Sequence, residues 1–191
     1  MIYRAWDLPK KVEFGGRSWD IRTDFRDILT IISAFDDPDL KEGEKLYTAL
    51  KIFYKDFDDI PENLYGEAYD QFSIFCDHGV DKKDTGKRNP RMMDWQQDAS
   101  ILFPAVNKVA GKEVREMDYM HWWTFMGYFM EIRGGVYGTV MQLRQKKAKH
   151  KKLEKEEQEF WRSNRDICEI KPRLSAEEEA EKARLKAILG G

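Results

Sequence analysis

The sequence has few of the residues that cross-link a chain or turn it sharply: two cysteines, six prolines and 13 glycines among 191 residues. Cys76 and Cys168 lie far apart, which excludes a disulfide-rich scaffold and fits a reducing compartment. So few turn formers argue against a turn-rich all-β protein. No apolar run approaches the roughly 18 residues of a membrane span. The first residues lack the pattern of a signal peptide. We therefore expect an intracellular protein without a membrane partner.

Net charge is also nearly absent, although charged residues are abundant. They make up 36% of the sequence, yet 33 Lys and Arg are set against 35 Asp and Glu, so that the formal net charge is −2. General affinity for nucleic acid needs a basic excess, so the composition argues against nucleic acid as a partner. Apolar residues amount to 41% of the chain, which is enough for a hydrophobic core.

Motifs of common catalytic and metal sites are missing as well. The three histidines have no histidine partner at the four-residue spacing of a zinc protease motif, and no Cys-x-x-Cys is present. Cys76 and His78 could bind a metal together with Asp81 and Asp84. We favour a buried cysteine beside a polar helix end, because free cysteines are usually buried. We expect no enzymatic activity, no cofactor and no bound metal.

The sequence does contain a hairpin signal followed by amphipathic helices. Residues 12–14 and 19–21 alternate apolar and polar side chains around Gly15-Gly16, which predicts a tight β-hairpin. Its strand edges could pair with a second copy. Apolar residues then recur at helical spacing along residues 25–132. We predict an all-α, mainly helical fold of about six or seven helices with a small N-terminal β-hairpin.

Caps and breakers predict where helices begin and end. Asp24 or Thr23 caps the first helix. Asp118 caps a helix that ends at Ile132, and Pro104 kinks or breaks the helix before it. One long helix begins near Val136 and runs beyond Phe160. A capping box, Ser175-Ala176-Glu177-Glu178, opens a short final helix.

The most unusual local feature is the aromatic segment of residues 119–131, which is apolar nearly all round a helix. Such a helix is buried on most sides, so the core is the first interpretation. Alternatively, one side meets another protein, because aromatic residues and Met are enriched at interface centres. We expect Trp123 to be the more buried of the two adjacent tryptophans. The candidate protein-binding side then consists of Trp122, Phe125 and Phe129.

Charge dominates the C-terminal part. We predict a helical core domain with the hairpin at residues 1–143 and a charged helical C-terminal extension at residues 144–191. Residues 146–152, Lys-Lys-Ala-Lys-His-Lys-Lys, form a basic block. This block is either a solvated helix face or an arm that binds an acidic partner. The aromatic pair Phe160-Trp161, which follows the block, needs a surface to pack against, either on this chain or on a neighbouring protein. The candidate binding residues of the extension are Phe160, Trp161, Lys146, Lys147, Lys149, Lys151 and Lys152.

Several of these segments together resemble a phage protein family. Residues 95–99 read Trp-x-x-Asp-Ala, and residues 118–125 read Asp-x-Met-His-Trp-Trp-x-Phe. Leu143-Arg144 follows, ahead of the basic block and of the Glu-Phe-aromatic-Arg segment at residues 159–162. Thr23-Asp24-Phe25-Arg26 fits the family's first-helix start. On these residues the sequence resembles the bacteriophage gene-product-fifteen family of tailed phages and prophages of Gram-positive bacteria.

Members of that family are encoded near the tail-tube and tape-measure genes. The resemblance therefore implies a non-enzymatic tail assembly chaperone that binds the tape-measure protein and recruits tail-tube subunits. It would act in the host bacterial cytoplasm and be absent from the finished virion. A coat along an elongated partner implies weak homo-oligomers with head-to-tail contacts. Two alternatives stay open: a structural minor tail or connector component of the virion, and a nucleic-acid-binding regulator that uses the Lys-rich helix.

Overall fold

The computed structural model describes residues 6–80 and 91–189. In these ranges the chain forms a two-stranded hairpin followed by nine α-helices, and the structure is 61% helical. The prediction of a mainly helical fold with an N-terminal hairpin is confirmed. The strands are β1 (Lys11–Phe14) and β2 (Arg17–Asp20). The helices are α1 (Phe25–Phe35), α2 (Glu42–Phe53), α3 (Tyr65–Cys76), α4 (Ala99–Ala110), α5 (Trp122–Met130), α6 (Gly135–Ala148), α7 (Lys155–Ser163), α8 (Arg165–Cys168) and α9 (Ala176–Leu189).

The hairpin lies on the helices. Gly15 and Gly16 both have positive φ, at 58° and 73°, as a two-residue turn between twisted strands requires. Trp19 is buried and stacks on Phe14, with ring centroids 5.3 Å apart. The segment after α2 pairs with the end of β2, because the N–H of Lys55 donates a hydrogen bond to the carbonyl of Asp20. Part of one strand edge is therefore paired within the chain.

The starts of α1 and α5 are joined by backbone hydrogen bonds. The N–H of Phe25 donates to the carbonyl of Met120 at 3.0 Å, and the N–H of Trp122 donates to the carbonyl of Thr23 at 2.7 Å. Asp24 caps α1 through the N–H of Arg26 and also accepts from the N–H of Met120. This joint, which we call the α1–α5 joint, fixes α1 and α5 relative to each other.

The same joint explains why α5 begins later than predicted. Its N-cap is His121, not Asp118, and its last residue is Met130. The Nδ1 atom of His121 accepts from the N–H of Trp123, while Nε2 donates to the carbonyl of Pro9, both at 3.0 Å. The carbonyl of Met120 and the N–H of Trp122 pair with Phe25 and Thr23, so the chain is extended up to His121 and α5 begins only at Trp122.

The predicted long C-terminal helix is divided into shorter helices. His150 has a φ of 53°, and the N–H of Lys151 donates to the carbonyl of Lys146 at 2.8 Å. The N–H of His150 also donates to the carbonyl of Lys147, which completes a Schellman motif at the end of α6. The chain then starts α7 with a capping box at Glu154. The expected uninterrupted helix from Val136 beyond Phe160 was wrong.

The C-terminal segment packs back onto the core before its last helix. Val140 and Leu143 of α6 form a second buried cluster with Cys168 of α8, and Ile101 of α4 packs against it. The predicted boundary between the core domain and the C-terminal extension, between residues 143 and 144, lies inside α6. In α9, by contrast, every side chain described is exposed.

None of the helices in the described ranges is long and apolar enough to span a bilayer.

Candidate protein-interaction site

Two of the predicted binding residues lie in the core. Trp122 is 3% exposed and Phe125 is fully buried, stacked on Phe25 with ring centroids 4.5 Å apart. Trp123, expected to be the more buried, is partly exposed. That burial prediction was wrong, because a helix that is apolar nearly all round does not reveal from its sequence which side faces inward. Trp122 and Phe125 therefore contribute almost no accessible surface in this structure.

The indole N–H groups of both tryptophans bind the end of α3. Nε1 of Trp122 donates to the carbonyl of Cys76 at 3.2 Å, and Nε1 of Trp123 donates to that of Phe75 at 2.8 Å. Carbonyls in the last turn of a helix lack intrahelical donors. The tryptophan pair thus caps α3 with side chains from α5.

Phe129 is partly buried and connects two parts of the core. Its ring centroid lies 5.1 Å from that of Trp95 and 6.0 Å from that of Tyr137 in α6. It contributes to packing on both sides. Of the three predicted aromatic binding residues of α5, Phe129 alone is not classed as buried.

The aromatic pair of α7 finds its partner surface within the chain. Phe160 and Trp161 are partly buried and pack against the second cluster beside α6. Nζ of Lys147 lies 3.9 Å from the centroid of the Trp161 ring, a cation–π contact. Lys146 forms an ion pair with Glu157 at 2.5 Å. Two lysines of the basic block are thus engaged in holding α7 on α6.

The other three predicted lysines remain in solvent. Lys149, Lys151 and Lys152 are exposed, and within the described ranges none of them forms an ion pair. Lys149 and Lys151 belong to the Schellman turn, and Lys152 lies between this turn and the Glu-rich start of α7. The basic surface is therefore short and lies next to acidic residues, which weakens its attraction for a polyanion.

The structure also reveals a buried ion pair that sequence reasoning did not identify. Arg144 and Asp98 form two hydrogen bonds of 2.7 Å, and both side chains are almost fully buried. The remaining donors of Arg144 bind the carbonyls of Cys168, Ile167 and Met92. Since all five N–H groups are used, the guanidinium is a structural connection without spare capacity for a ligand.

Asp94 forms a second, adjacent polar centre. It is 1% exposed and accepts hydrogen bonds from Arg173 and Arg91, and from the backbone of Gln96 and Gln97. Burial raises the pKa of Asp94, but the Arg173 hydrogen bond and the backbone donors outweigh it and lower the pKa to about 2. This carboxylate fastens the segment after α8 to the turn before α4.

The candidate metal residues have other roles where the structure describes them. Burial raises the pKa of Cys76 to about 12, which keeps its thiol protonated and unreactive. His78 adopts a positive φ at the end of α3, and its ring stacks on Trp123. Asp81 and Asp84 lie outside the described residues. Among those described, no group of three or more His, Cys, Asp or Glu could hold a metal ion.

An apolar groove is an accessible feature that the predicted residues did not include. It lies between α4 and the segment that joins α5 to α6, and its volume is about 470 Å³. Its two valines are exposed, Val109 at 38% and Val136 at 51%. The apolar residues that line it are Ile101, Pro104, Ala105, Val109, Ile132, Val136 and Tyr137. We call this feature the α4–α6 groove.

Backbone groups that lack their usual hydrogen-bond partners line part of the α4–α6 groove. Gly134 is the N-cap of α6 and provides no side-chain acceptor, so the positive end of the helix dipole is uncapped there. The carbonyl of Ser100 in α4 contributes a partial negative charge to the same groove. It lacks its usual helical donor because Pro104 has no N–H. Pro104 does not break the helix, as α4 is continuous through it.

The charges at the groove are mainly positive. Lys108 and Arg133 line it, together with the carboxylate of Glu131. Arg133 and Glu131 are 3.7 Å apart and more than 70% exposed, so their mutual attraction is weak. With the uncapped start of α6, the balance favours a partner that combines apolar side chains with negative charge.

A comparison with known protein families places these features in context. Residues 6–170 match the family described as Bacteriophage Gp15 protein. The chain belongs to this family. Membership makes it a phage structural or tail-related protein. No curated protein and no solved structure matches the chain.

The extent of the Gp15 match agrees with the resemblance seen in the sequence. It includes the α1–α5 joint, the Asp98–Arg144 pair and the α4–α6 groove, and it ends before α9. Several residues that carry the resemblance, among them Asp24, Asp98 and Arg144, connect helices of this fold. Asp98 and Arg144, which come from two separate motifs, bind each other.

Proposed function

We propose that this Gp15-family chain is a non-enzymatic tail assembly chaperone. It binds the tape-measure protein and recruits tail-tube subunits in the host bacterial cytoplasm, and it leaves before the virion is complete. The observation that carries this proposal is the α4–α6 groove, an apolar surface left in solvent by an otherwise well-packed helical domain. Exposed apolar surface of this kind is typical of protein interaction sites.

The groove suits reversible binding to a helical partner. Apolar grooves between helices bind the apolar face of an amphipathic helix in one recurring mode of recognition. A chaperone must be displaced when the tail tube forms, so its contacts must be numerous and individually moderate. A shallow groove with exposed valines such as Val109 and Val136 meets this requirement better than a deep, closed pocket.

The buried polar residues support a role without catalysis. Arg144 and Asp98 bind each other, and both ring nitrogens of His121 are engaged with the backbone. Burial lowers the pKa of His121, which keeps the imidazole neutral and in its capping role. These residues stabilise the fold, whereas a catalytic group needs a free proton or lone pair directed at a substrate.

A pull-down from infected cells tests the proposal. Tagged wild-type chain should recover the tape-measure and tail-tube proteins of the same phage. Val136→Glu, which places a charge in the groove at an exposed position, should lower that recovery at least tenfold. Val80→Glu is the matched control, because Val80 is 54% exposed and lies outside the groove. Equal recovery by all three proteins would contradict a role for the groove in assembly.

Mass spectrometry of purified phage particles tests the second half of the proposal. A chaperone should be missing from finished particles, whereas tail-tube subunits should be abundant. If the chain is present in particles at a fixed ratio to the tail-tube protein, it is a minor tail or connector component instead.

A further inference from the structure

We propose that the α4–α6 groove of one copy receives α9 of a second copy, so that the chain associates head to tail. The inference gives the groove a second occupant, α9 of another copy, which competes there with the phage partner proposed above. It rests on the proposed function only for its biological use, because a chaperone coat needs repeated contacts between copies. The contact itself is a property of the purified chain.

Among the residues that the structure describes, α9 packs its side chains on no other helix or strand. All its described side chains are exposed, including Leu185 at 48% and Ile188 at 68%. A helix of 14 residues is only marginally stable in water without packing. Its start is held in place, because the N–H of Ala176 donates to the carboxylate of Asp39 and Arg173 binds Asp94. The helix thus leaves the domain from a fixed point with its apolar side uncovered.

The exposed side of α9 and the α4–α6 groove are chemically complementary. At about 100° per residue, Glu178, Glu181, Leu185 and Ile188 lie on one side of α9. Leu174 and Leu185 line a shallow surface on that side together with Glu177, Glu178, Glu181 and Lys182. This side therefore combines apolar residues with an acidic excess, whereas the α4–α6 groove combines valines with Lys108, Arg133 and the uncapped start of α6.

The size of the groove limits the strength of the contact, and the difference between the two surfaces sets its symmetry. A volume of about 470 Å³ accommodates a few side chains such as Leu185 and Ile188, not an entire helix. The contact is therefore small and the affinity low. Because the groove and α9 are different surfaces, the contact is heterologous and leaves one groove and one α9 free at the ends. Association then continues with concentration instead of stopping at a dimer.

Sedimentation velocity of the purified chain at increasing concentration is the primary test. The weight-average mass of the wild-type chain should rise at least twofold over the accessible concentration range. The chain without residues 175–191 and the Val136→Glu variant should remain monomeric. Val80→Glu should behave as the wild type does. Thermal melting of each variant checks that the domain is folded. A wild-type chain that stays monomeric, or a truncated chain that associates equally, would overturn the inference.

A charge exchange makes the test specific to these two surfaces. One variant carries Glu178→Lys and Glu181→Lys in α9, and the other carries Lys108→Glu and Arg133→Glu in the groove. Each variant alone should be monomeric. Their mixture should associate, because the reversed α9 of one matches the reversed groove of the other. A mixture that stays monomeric while the wild type associates would assign self-association to another surface.

These outcomes are separable from those of the pull-down. If the purified chain is monomeric but still recovers the tape-measure protein, the proposed function stands and the groove binds a phage partner. If the chain associates through α9 but recovers no tail protein, the contact between copies stands without the chaperone role.

Discussion

Arg144 and Asp98 are 46 residues apart in the sequence, and in the structure their side chains meet edge to edge through two hydrogen bonds of 2.7 Å. Arg144 lies in α6 and Asp98 immediately precedes α4, so the pair joins the two helices that form the α4–α6 groove. Arg144 also binds the carbonyls of Ile167 and Cys168. One side chain therefore connects the groove to the segment that leads to α9.

Removing either partner of this pair should strongly destabilise the domain. Arg144→Met would leave the buried carboxylate of Asp98 without its cation, and three backbone carbonyls would lose a donor. Breaking a buried ion pair in this way costs about 3–5 kcal/mol. Urea unfolding of the variant should show that loss in the free energy of unfolding.

The matched control for this experiment is Arg133→Met. Arg133 pairs with Glu131 at the surface, where both side chains are more than 70% exposed, and the free energy of unfolding should hardly change. If Arg144→Met is as mild as Arg133→Met, the buried pair does not support the fold. The double variant Asp98→Leu with Arg144→Met should recover part of the loss, because it leaves no unpaired buried charge.

Asp94 should make the stability of the domain sensitive to acid. Its pKa is lowered to about 2 in the folded chain, from the ordinary value of 3.8. A carboxylate with a lowered pKa in the folded state stabilises the fold above the unfolded pKa, and this contribution disappears as the pH falls from about 4 towards 2. The urea midpoint of the wild type should therefore fall in this range.

The Asp94→Asn variant isolates that contribution. It should be less stable than the wild type at neutral pH and should decline less steeply between about pH 4 and pH 2. Asp70→Asn is the control, because Asp70 is exposed on α3, and it should keep the wild-type profile. Parallel profiles for the wild type and Asp94→Asn would show that Asp94 is not responsible.

Local signals in the sequence predicted the elements that depend on local contacts. The Gly15-Gly16 turn, the Asp24 cap of α1 and the capping box of Ser175 with Glu178 all form as expected. Each of these involves residues within a few positions of one another, so their chemistry can be recognised without knowing the fold. The mainly helical architecture follows from the same periodic signals.

The predictions that failed depended on distant partners. The start of α5 is set by pairing with residues 23–25, almost a hundred positions earlier, and helical periodicity does not report such pairing. The end of α6 uses a histidine at positive φ, where glycine is the usual signal. The groove combines α4, the Gly134-Gly135 turn and α6. Its glycines and Pro104 were visible in the sequence, but their proximity was not.

The two adjacent tryptophans provide a test of burial. Trp122→Ala should cost about 3–5 kcal/mol, since Trp122 is almost fully buried and packs on Phe125. The melting temperature should fall by on the order of 10 °C. Trp123→Ala should cost less, because its ring is partly exposed. A larger loss for Trp123→Ala would show that its hydrogen bond to Phe75 and its contact with His78 outweigh the difference in burial.

The last prediction separates α9 from the segment that anchors it. Removing residues 175–191 should change the melting temperature by no more than about 2 °C, because every described side chain of α9 is exposed. A truncation that begins two residues earlier also removes Arg173, which binds Asp94 through two hydrogen bonds of 3.0 and 3.2 Å. Leaving this buried carboxylate with fewer donors costs about 1–3 kcal/mol. The shorter chain should therefore melt several degrees lower. Circular dichroism melts of the two truncated chains measure the difference, and equal melting temperatures would show that Arg173 does not anchor the C-terminal segment.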